Sequence, residues 1–312
     1  MNNTLKVAIY ISAAIIVAVG LLILLNRKSQ VKTPQVSSGK LDIYPAFESV
    51  HITPRTVSVW LPDGFQKGGE YAVIYMHDGQ MLFDAKTTWN HQEWCIDEVL
   101  GELISSGKIR PCIVVAIDNT KDRLNELFPQ KTWQYADEAG LGKMEPKGDA
   151  YLRFIVEEVM PFVQEAYEPL SGPENTFIMG SSMGGLISLY AICEYPDVFG
   201  GAVCMSSHLS MEHLPLGKDN KTWAEAFMAY LNDNLPETNT LRIYMDHGTV
   251  GIDSAYGPYQ DAVDSLFEEK GWDDDHYLSL VFEGHDHNET CWSQRLSKPI
   301  EFMLIQTPLR KL

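Results

Sequence analysis

Residues Thr176 to Glu194 of this 312-residue chain read TFIMGSSMGGLISLYAICE. The first four residues of this stretch are apolar or β-branched, as in a short buried strand, and the residues after Gly185 favour a helix. Between them, Gly180-Ser181-Ser182-Met183-Gly184 has the G-x-S-x-G spacing. Glycines two residues before and after a serine let a strand and a helix approach closely. The pattern therefore predicts that Ser182 lies on a sharp strand-to-helix turn.

Ser182, rather than its neighbour Ser181, has the spacing of a nucleophile on such a turn. For Ser181 the flanking positions would be Met179 and Met183, whose side chains would obstruct the turn. A serine hydroxyl is a poor nucleophile unless a histidine base activates it, and the histidine needs a carboxylate that fixes its tautomer. The alternative interpretation of the motif is a glycine-rich turn in a non-catalytic α/β protein.

Outside this motif, strand-like and helix-like segments alternate along the chain. Seven short apolar or β-branched runs are strand candidates: Arg55–Leu61, Ala72–Met76, Cys112–Ile117, Thr176–Met179, Ala202–Met205, Leu241–Met245 and Leu278–Phe282. Longer stretches with helical periodicity lie between the later ones: Asp149–Ala166, Met183–Glu194, Trp223–Leu231 and Tyr259–Lys270. This order predicts an α/β fold with a mostly parallel central sheet and helices on both faces. With the serine turn in its strand-to-helix context, we expect the α/β-hydrolase fold.

The partners of the serine are expected at two later strand ends, because the order in this fold is serine, acid, histidine. Only His285 and His287 follow the last strand candidate, so the base is one of these two. Asp246 and Asp253 follow the preceding strand candidate and are the two candidate acids. We predict Asp253, because strand alternation fixes the direction of the Asp246 side chain, whereas Asp253 lies on a glycine-containing loop that can bend toward the histidine.

An acyl-transfer site also needs hydrogen-bond donors for the oxyanion of the tetrahedral intermediate. One is usually the amide of the residue after the nucleophile, here Met183, and the other comes from a loop after an earlier strand. The segment Met76-His77-Asp78-Gly79-Gln80 supplies that loop, and the Gln80 amide is our second candidate. We expect His77 and Asp78 to brace the loop rather than react.

The N-terminal region differs from the rest of the chain. Residues Ala8 to Leu25 are free of charge, which is about the length of a transmembrane helix. We predict an anchor over residues 1–25, a flexible tether over 26–40 and a catalytic domain over 41–312. The localisation expected is a membrane with a single N-terminal span. A cleaved signal peptide of a secreted or periplasmic protein is the second choice, since no small-residue cleavage site follows Leu25.

Composition argues against several other classes of protein. The formal net charge of −18 repels phosphate groups, so nucleic acid is not an expected partner. The five cysteines show no paired spacing, which argues against both a disulfide framework and a thiolate zinc site. We therefore predict no metal site built on thiolates.

Taken together, several motifs resemble one esterase family. They are the His77-Asp78-Gly79-Gln80 loop, Arg123 with Glu126 and Pro129, Tyr151 through Pro161, the strand-to-helix turn Gly180 to Gly185 (called the elbow below), and His287-Asn288-Glu289 followed by Trp292. From about Val57 to Met303 the chain resembles the family that includes enterochelin esterases, S-formylglutathione hydrolases, feruloyl and acetyl-xylan esterases and the mycolyltransferases.

This resemblance implies serine-dependent cleavage of a carboxylic ester, on a small molecule or a glycan, without a cofactor. It places the base at the histidine five residues before a tryptophan, which here is His287. It also agrees with Asp253 as the acid, because related chains carry an acidic residue shortly after a Gly-Thr pair. Three alternatives stay open: an acyltransferase of the same fold, a metallohydrolase, and a non-catalytic binding protein. We further expect at least one of Trp89, Trp133 and Trp292 to line the substrate pocket.

Overall fold

One eight-stranded sheet organises the computed structural model, which describes residues 33–136, 144–211, 214, 220–237 and 241–305. The strand order is β1-β2-β4-β3-β5-β6-β7-β8. The strands are β1 Lys40–Phe47, β2 Arg55–Leu61, β3 Ala72–His77, β4 Cys112–Ile117, β5 Thr176–Ser181, β6 Gly201–Met205, β7 Arg242–Gly248 and β8 Tyr277–Phe282. β1 and β2 pair antiparallel, β2 pairs antiparallel with β4, and every pairing from β4 to β8 is parallel.

Helices cover both faces of this sheet. They are α1 Ile96–Ser105, α2 Arg123–Glu126, α3 Gly148–Arg153, α4 Met160–Tyr167, α5 Met183–Glu194, α6 Asn220–Asn234, α7 Gly257–Glu269, α8 Glu289–Arg295 and α9 Ser297–Leu304. A π-helical segment, Phe154–Val159, joins α3 to α4. The predicted α/β fold with a mostly parallel sheet is thereby confirmed.

Alternation along the strands divides the buried apolar residues into two clusters, one on each face of the sheet. In β3, Val73 and Tyr75 belong to the cluster beneath α3 to α7, whereas Ile74 and Met76 belong to the cluster beneath α1 and α9. β3, β4 and β6 are buried along their whole length. A strand buried on both faces has no polar face, so it reads in the sequence as a continuous apolar run.

The first strand was not among the sequence candidates. β1 is half-exposed and irregular: it contains Pro45, and Ala46 has a positive φ of 53° where the pairing register with β2 shifts. A short edge strand with a proline and a bulge lacks the clean two-residue alternation on which strand prediction depends.

Residues that precede the domain boundary predicted near Leu41 already form hydrogen bonds with the domain. The Ser37 amide donates to Asp97 Oδ2 at 2.6 Å, and Trp60 Nε1 donates to the Ser38 carbonyl at 2.8 Å. Contact density divides the chain into the units Met1–Pro34 and Gln35–Leu312. Residues 37 and 38, which we placed in the tether, therefore pack with the second unit.

The predicted membrane anchor over residues 1–25 lies outside the described residues. Among the helices that the structure describes, none is both long enough and apolar enough to cross a bilayer.

Candidate active site

Ser182 occupies the turn between β5 and α5. Its backbone has φ 57° and ψ −122°, a combination that a non-glycine residue adopts only under constraint from its surroundings. A Cβ added to Gly180 would lie 2.8 Å from the carbonyl carbon of Gly184, so the close strand-to-helix approach requires glycine there. Ser181, by contrast, is the last residue of β5 and only 4% exposed. The structure thus presents Ser182 rather than Ser181 at the turn.

His77 braces this turn from the end of the neighbouring strand β3. Its Nδ1 lies 2.7 Å from the Tyr151 hydroxyl, and its Nε2 lies 3.1 Å from Ser188 Oγ. Burial lowers the pKa of His77 to about 4, so the ring is neutral. Because Ser188 donates to the Gly184 carbonyl, its oxygen accepts from His77, and Tyr151 therefore donates to Nδ1. These contacts agree with the expected bracing role.

The loop after β3 carries Gln80, whose amide is one of the two predicted oxyanion donors. Asp78 has a φ of 56°, and its carboxylate accepts from Arg123 Nε at 2.6 Å and Nη2 at 2.8 Å. A tight turn, Gly79–Met81, follows, and a Cβ on Gly79 would lie 2.8 Å from the backbone of β4. Gln80 is held on this turn by its side chain, whose Oε1 accepts from the Asn119 amide at 3.0 Å.

The other predicted donor, the amide of Met183, belongs to the first residue of α5. The first N–H groups of a helix have no intrahelical partner, so this amide is available to a ligand. Gln80 and Met183 follow β3 and β5, which are adjacent and parallel. Both predicted donors therefore lie at the same edge of the sheet, beside Ser182.

Asp253 and His287 meet at this edge. The Nδ1 atom of His287 lies 2.6 Å from Asp253 Oδ1, and Asp253 is completely buried. The other carboxylate oxygen, Oδ2, accepts from the Gly248 amide at 2.7 Å and from Ser206 Oγ at 2.5 Å. Burial alone would raise the pKa of Asp253, but the hydrogen bonds from His287, Ser206 and Gly248 outweigh it and hold the pKa below its ordinary value.

Asp246 lies in β7, and its carboxylate contacts Arg295 and Tyr244 instead of His287. It is fully buried and accepts from Arg295 Nη2 at 2.9 Å and from the Tyr244 hydroxyl at 2.9 Å. Burial raises its pKa, against the opposing effect of Arg295. Of the two candidate acids, the structure brings Asp253 to His287 and pairs Asp246 with an arginine.

The two candidate bases also have different surroundings. His285 Nδ1 lies 3.3 Å from the Cys291 carbonyl, whereas His287 contacts Asp253 and packs edge-on against Trp292 and Tyr256. None of the hydrogen bonds found between described residues joins the Ser182 hydroxyl to His287. In ligand-free sites such hydrogen bonds are often long and tighten only when substrate binds.

Several residues around the acid were not anticipated. Ser206 and Arg295, both buried, donate to Asp253 and Asp246 respectively, and the His208 amide donates to the Ser182 carbonyl at 3.2 Å. Their signal in the sequence is weak, because they come from two distant segments, the loop after β6 and α8, which only the folded structure brings together.

The three predicted pocket tryptophans lie in different places. Trp89 is 80% exposed on a loop tied to the His287 segment, since Asn90 Nδ2 donates to Glu289 Oε2 at 2.8 Å. Trp292 is buried, and its ring packs against His287. Trp133 packs on Trp223 and lines a 390 Å³ cleft with Gln130, Gln134 and Pro146. Trp89 is therefore exposed on a loop that contacts the segment after His287, and Trp292 contacts the His287 ring itself.

A larger cleft of 430 Å³ adjoins the one at Trp133. Its wall includes Glu194, the last residue of α5, about 18 Å along the helix axis from Ser182. Across the ranges that the structure describes, no group of three His, Cys, Asp or Glu side chains is arranged to hold a metal ion.

Comparison with known proteins relates the chain to other esterases. The family model described as "Putative esterase" matches residues 51–298. The uncharacterized protein YbbA of Bacillus subtilis is 21% identical over 255 residues, covering 80% of this chain and 92% of YbbA.

Two solved structures show the same fold. The enterobactin esterase of Shigella flexneri, solved with 2,3-dihydroxy-N-benzoyl-glycine, has a TM-score of 0.61 at 19% identity, over 86% of this chain and 60% of that one. The chain thus spans less than two thirds of that esterase. A ferulic acid esterase from Anaeromyces mucronatus, in complex with ferulic acid, has a TM-score of 0.61 at 21% identity, over 89% of this chain and 94% of its own.

These two likenesses show that the chain shares the fold of solved esterases. The match to the family model covers well over half of the chain. The protein therefore belongs to the Putative esterase family and is an esterase-type hydrolase.

Proposed function

We propose that the protein hydrolyses carboxylic esters through an acyl-enzyme, with Ser182 as nucleophile, His287 as base and Asp253 as the acid that orients it. The observation that carries this proposal is the 2.6 Å contact between His287 Nδ1 and Asp253 Oδ1, at the edge of the sheet where Ser182 occupies a strained turn. Such a contact leaves Nε2 of the histidine free to accept the serine proton.

In the first step, His287 Nε2 takes the proton of Ser182 Oγ while Oγ bonds to the ester carbonyl carbon. The carbonyl oxygen becomes an oxyanion, and the amides of Gln80 and Met183 are its proposed donors. The alcohol leaves with the proton from His287, and the acyl group stays on Ser182. Water, deprotonated by the same histidine, then releases the carboxylic acid and restores the serine.

For the substrate, we propose an ester of a small molecule or a glycan with an aromatic group near the scissile bond. One solved relative is in complex with ferulic acid, and the other was solved in the presence of 2,3-dihydroxy-N-benzoyl-glycine; both compounds are aromatic. In this chain Trp89 exposes 80% of its surface beside the His287 segment, where an aromatic ring could stack on it. Anchoring to a membrane through residues 1–25 stays a prediction.

The test is turnover of a panel of chromogenic aryl and alkyl esters by the full chain and two variants. Ser182→Ala should lower kcat by several orders of magnitude, whereas Ser181→Ala, the matched control, should retain most activity. A serine-directed phosphonate should label the wild type and Ser181→Ala but not Ser182→Ala. Comparable losses in both variants, or activity that chelators abolish and the phosphonate does not, would refute the assignment. Added sugar or alcohol acceptors separate hydrolysis from acyl transfer.

A further inference from the structure

Ser206 is a fully buried serine directly after β6, the strand between the elbow strand and the acid strand. Its φ is 42°, a conformation uncommon for a residue with a side chain. Its amide donates to the Asp246 carbonyl at 2.7 Å and to Asp246 Oδ1 at 3.2 Å. The backbone of Ser206 is thus held in one orientation from the neighbouring strand.

The hydroxyl of Ser206 contacts three polar partners. Trp292 Nε1 lies 3.0 Å away, Arg295 Nη2 lies 2.7 Å away, and Asp253 Oδ2 lies 2.5 Å away. An indole nitrogen and a guanidinium can only donate, so they occupy both lone pairs of the serine oxygen. The single hydroxyl proton therefore points to Asp253, and no other orientation satisfies all three partners.

This hydrogen bond determines which oxygen of Asp253 faces the histidine. Oδ2 is held by Ser206 and by the Gly248 amide, which leaves Oδ1 directed at His287 Nδ1. Hydrogen bonds to the charged form also favour an ionised carboxylate. Ser206 thus acts on both the rotamer and the charge of Asp253.

Arg295 provides positive charge to this network. Its Nη2 donates to Ser206 Oγ, and the same atom lies 3.9 Å from Asp253 Oδ2. Asp246, at 2.9 Å from Nη2, balances the buried guanidinium. Asp246, which does not contact His287, therefore holds the Arg295 guanidinium near Asp253, which does.

We propose that Ser206, polarised by Arg295, is a positioning residue that holds Asp253 ionised and aimed at His287. This inference rests on the proposed function, since it assigns Ser206 to the same triad. Without the hydroxyl, Asp253 Oδ2 keeps only the Gly248 amide as its donor among the described contacts, and the carboxylate can rotate away from Nδ1. The imidazolium that forms during turnover would then lose stabilisation.

The test compares three single substitutions in the full chain. Ser206→Ala removes the hydroxyl, and Ser206→Gly removes it while also relieving the positive φ. Ser207→Ala is the matched control: Ser207 is the next residue, is 1% exposed, and its Oγ has no hydrogen-bond partner among the described residues. Both Ser206 variants should lower kcat about 10- to 100-fold with KM within about threefold, as expected for loss of a hydrogen bond to a charged group. Ser207→Ala should stay within about threefold of wild type.

A second readout needs no substrate. The proton on His287 Nδ1, in a short hydrogen bond to a carboxylate, gives a far-downfield proton NMR signal, which His287→Ala identifies by its loss. The signal should weaken or move upfield in both Ser206 variants and persist in Ser207→Ala. Wild-type kcat and signal in Ser206→Gly, or equal losses in Ser207→Ala, would overturn the positioning role. A wild type without ester turnover, but with the signal sensitive to Ser206, would instead refute the proposed function alone.

Discussion

Replacing each candidate acid by its amide distinguishes the role of Asp253 from that of Asp246 most sharply. In Asp253→Asn the amide has one oxygen and one NH₂ group, whereas the carboxylate accepts at both positions. Two donors, the Gly248 amide and the Ser206 hydroxyl, face the Oδ2 position, so the amide oxygen is expected there. The NH₂ group then points at His287 Nδ1 and forces the proton onto Nε2, where the serine proton has to be accepted.

The expected loss for a histidine held in the wrong tautomer is about 10⁴ in kcat, or roughly 5.5 kcal/mol of transition-state stabilisation. Asp246→Asn has a different consequence, because it leaves the buried Arg295 guanidinium without its carboxylate. Breaking one side of a buried ion pair costs about 3–5 kcal/mol of folding free energy. We expect Asp246→Asn to lower Tm by roughly 10 °C while kcat stays within about tenfold of wild type.

The assay is kcat for an aryl ester at saturation, with thermal unfolding of each variant measured in the same buffer. Measuring below the midpoint of the less stable variant ensures that both proteins are folded. The reasoning is refuted if Asp253→Asn keeps more than about a tenth of wild-type kcat, or if folded Asp246→Asn is the slower of the two.

Three further predictions concern other parts of the chain. His77, whose pKa burial lowers to about 4, contributes stability that is present above the unfolded pKa of about 6.5 and is lost as pH falls toward 4. His77→Gln should therefore be less stable than wild type at pH 7, and the difference in Tm between them should shrink by pH 5; a constant difference contradicts this. Trp89→Ala should raise KM for aryl esters several-fold and leave alkyl esters nearly unchanged, and equal changes in both would exclude stacking. Deleting residues 1–40 should give a lower Tm than deleting residues 1–34, because only the longer deletion removes the amide donors of the buried Asp97 carboxylate. Equal Tm values for the two truncations would show that these contacts contribute nothing.

Much of the fold could be predicted because its strands are buried on both faces. β2 and β4 have the predicted bounds, and the other five predicted strands differ from observation by at most three residues at either end. Continuous apolar runs such as Cys112–Ile117 mark such strands without any knowledge of their neighbours. β1 was missed because an edge strand with a proline and a bulge carries no comparable signal.

Within the candidate site, the turn at Ser182 could be predicted from the sequence alone. G-x-S-x-G is a local pattern, and the physical requirement behind it, two glycines that permit close packing around Ser182, involves residues within five positions of one another. The order of serine, acid and histidine along the chain was likewise readable, since it follows from the order of the strands.

The folded structure was needed to show that Asp253, rather than Asp246, lies within hydrogen-bonding distance of His287, and that Ser206 and Arg295 surround the two aspartates. Ser206, Arg295 and the two aspartates come from the ends of β6 and β7 and from α8, segments separated by about 40 to 50 positions. Parallel strands bring their carboxyl ends together at one edge of the sheet. Which side chains meet there depends on the alternation of side-chain direction along β7 and on the bend of the chain after Gly248. Neither can be predicted from a linear sequence pattern.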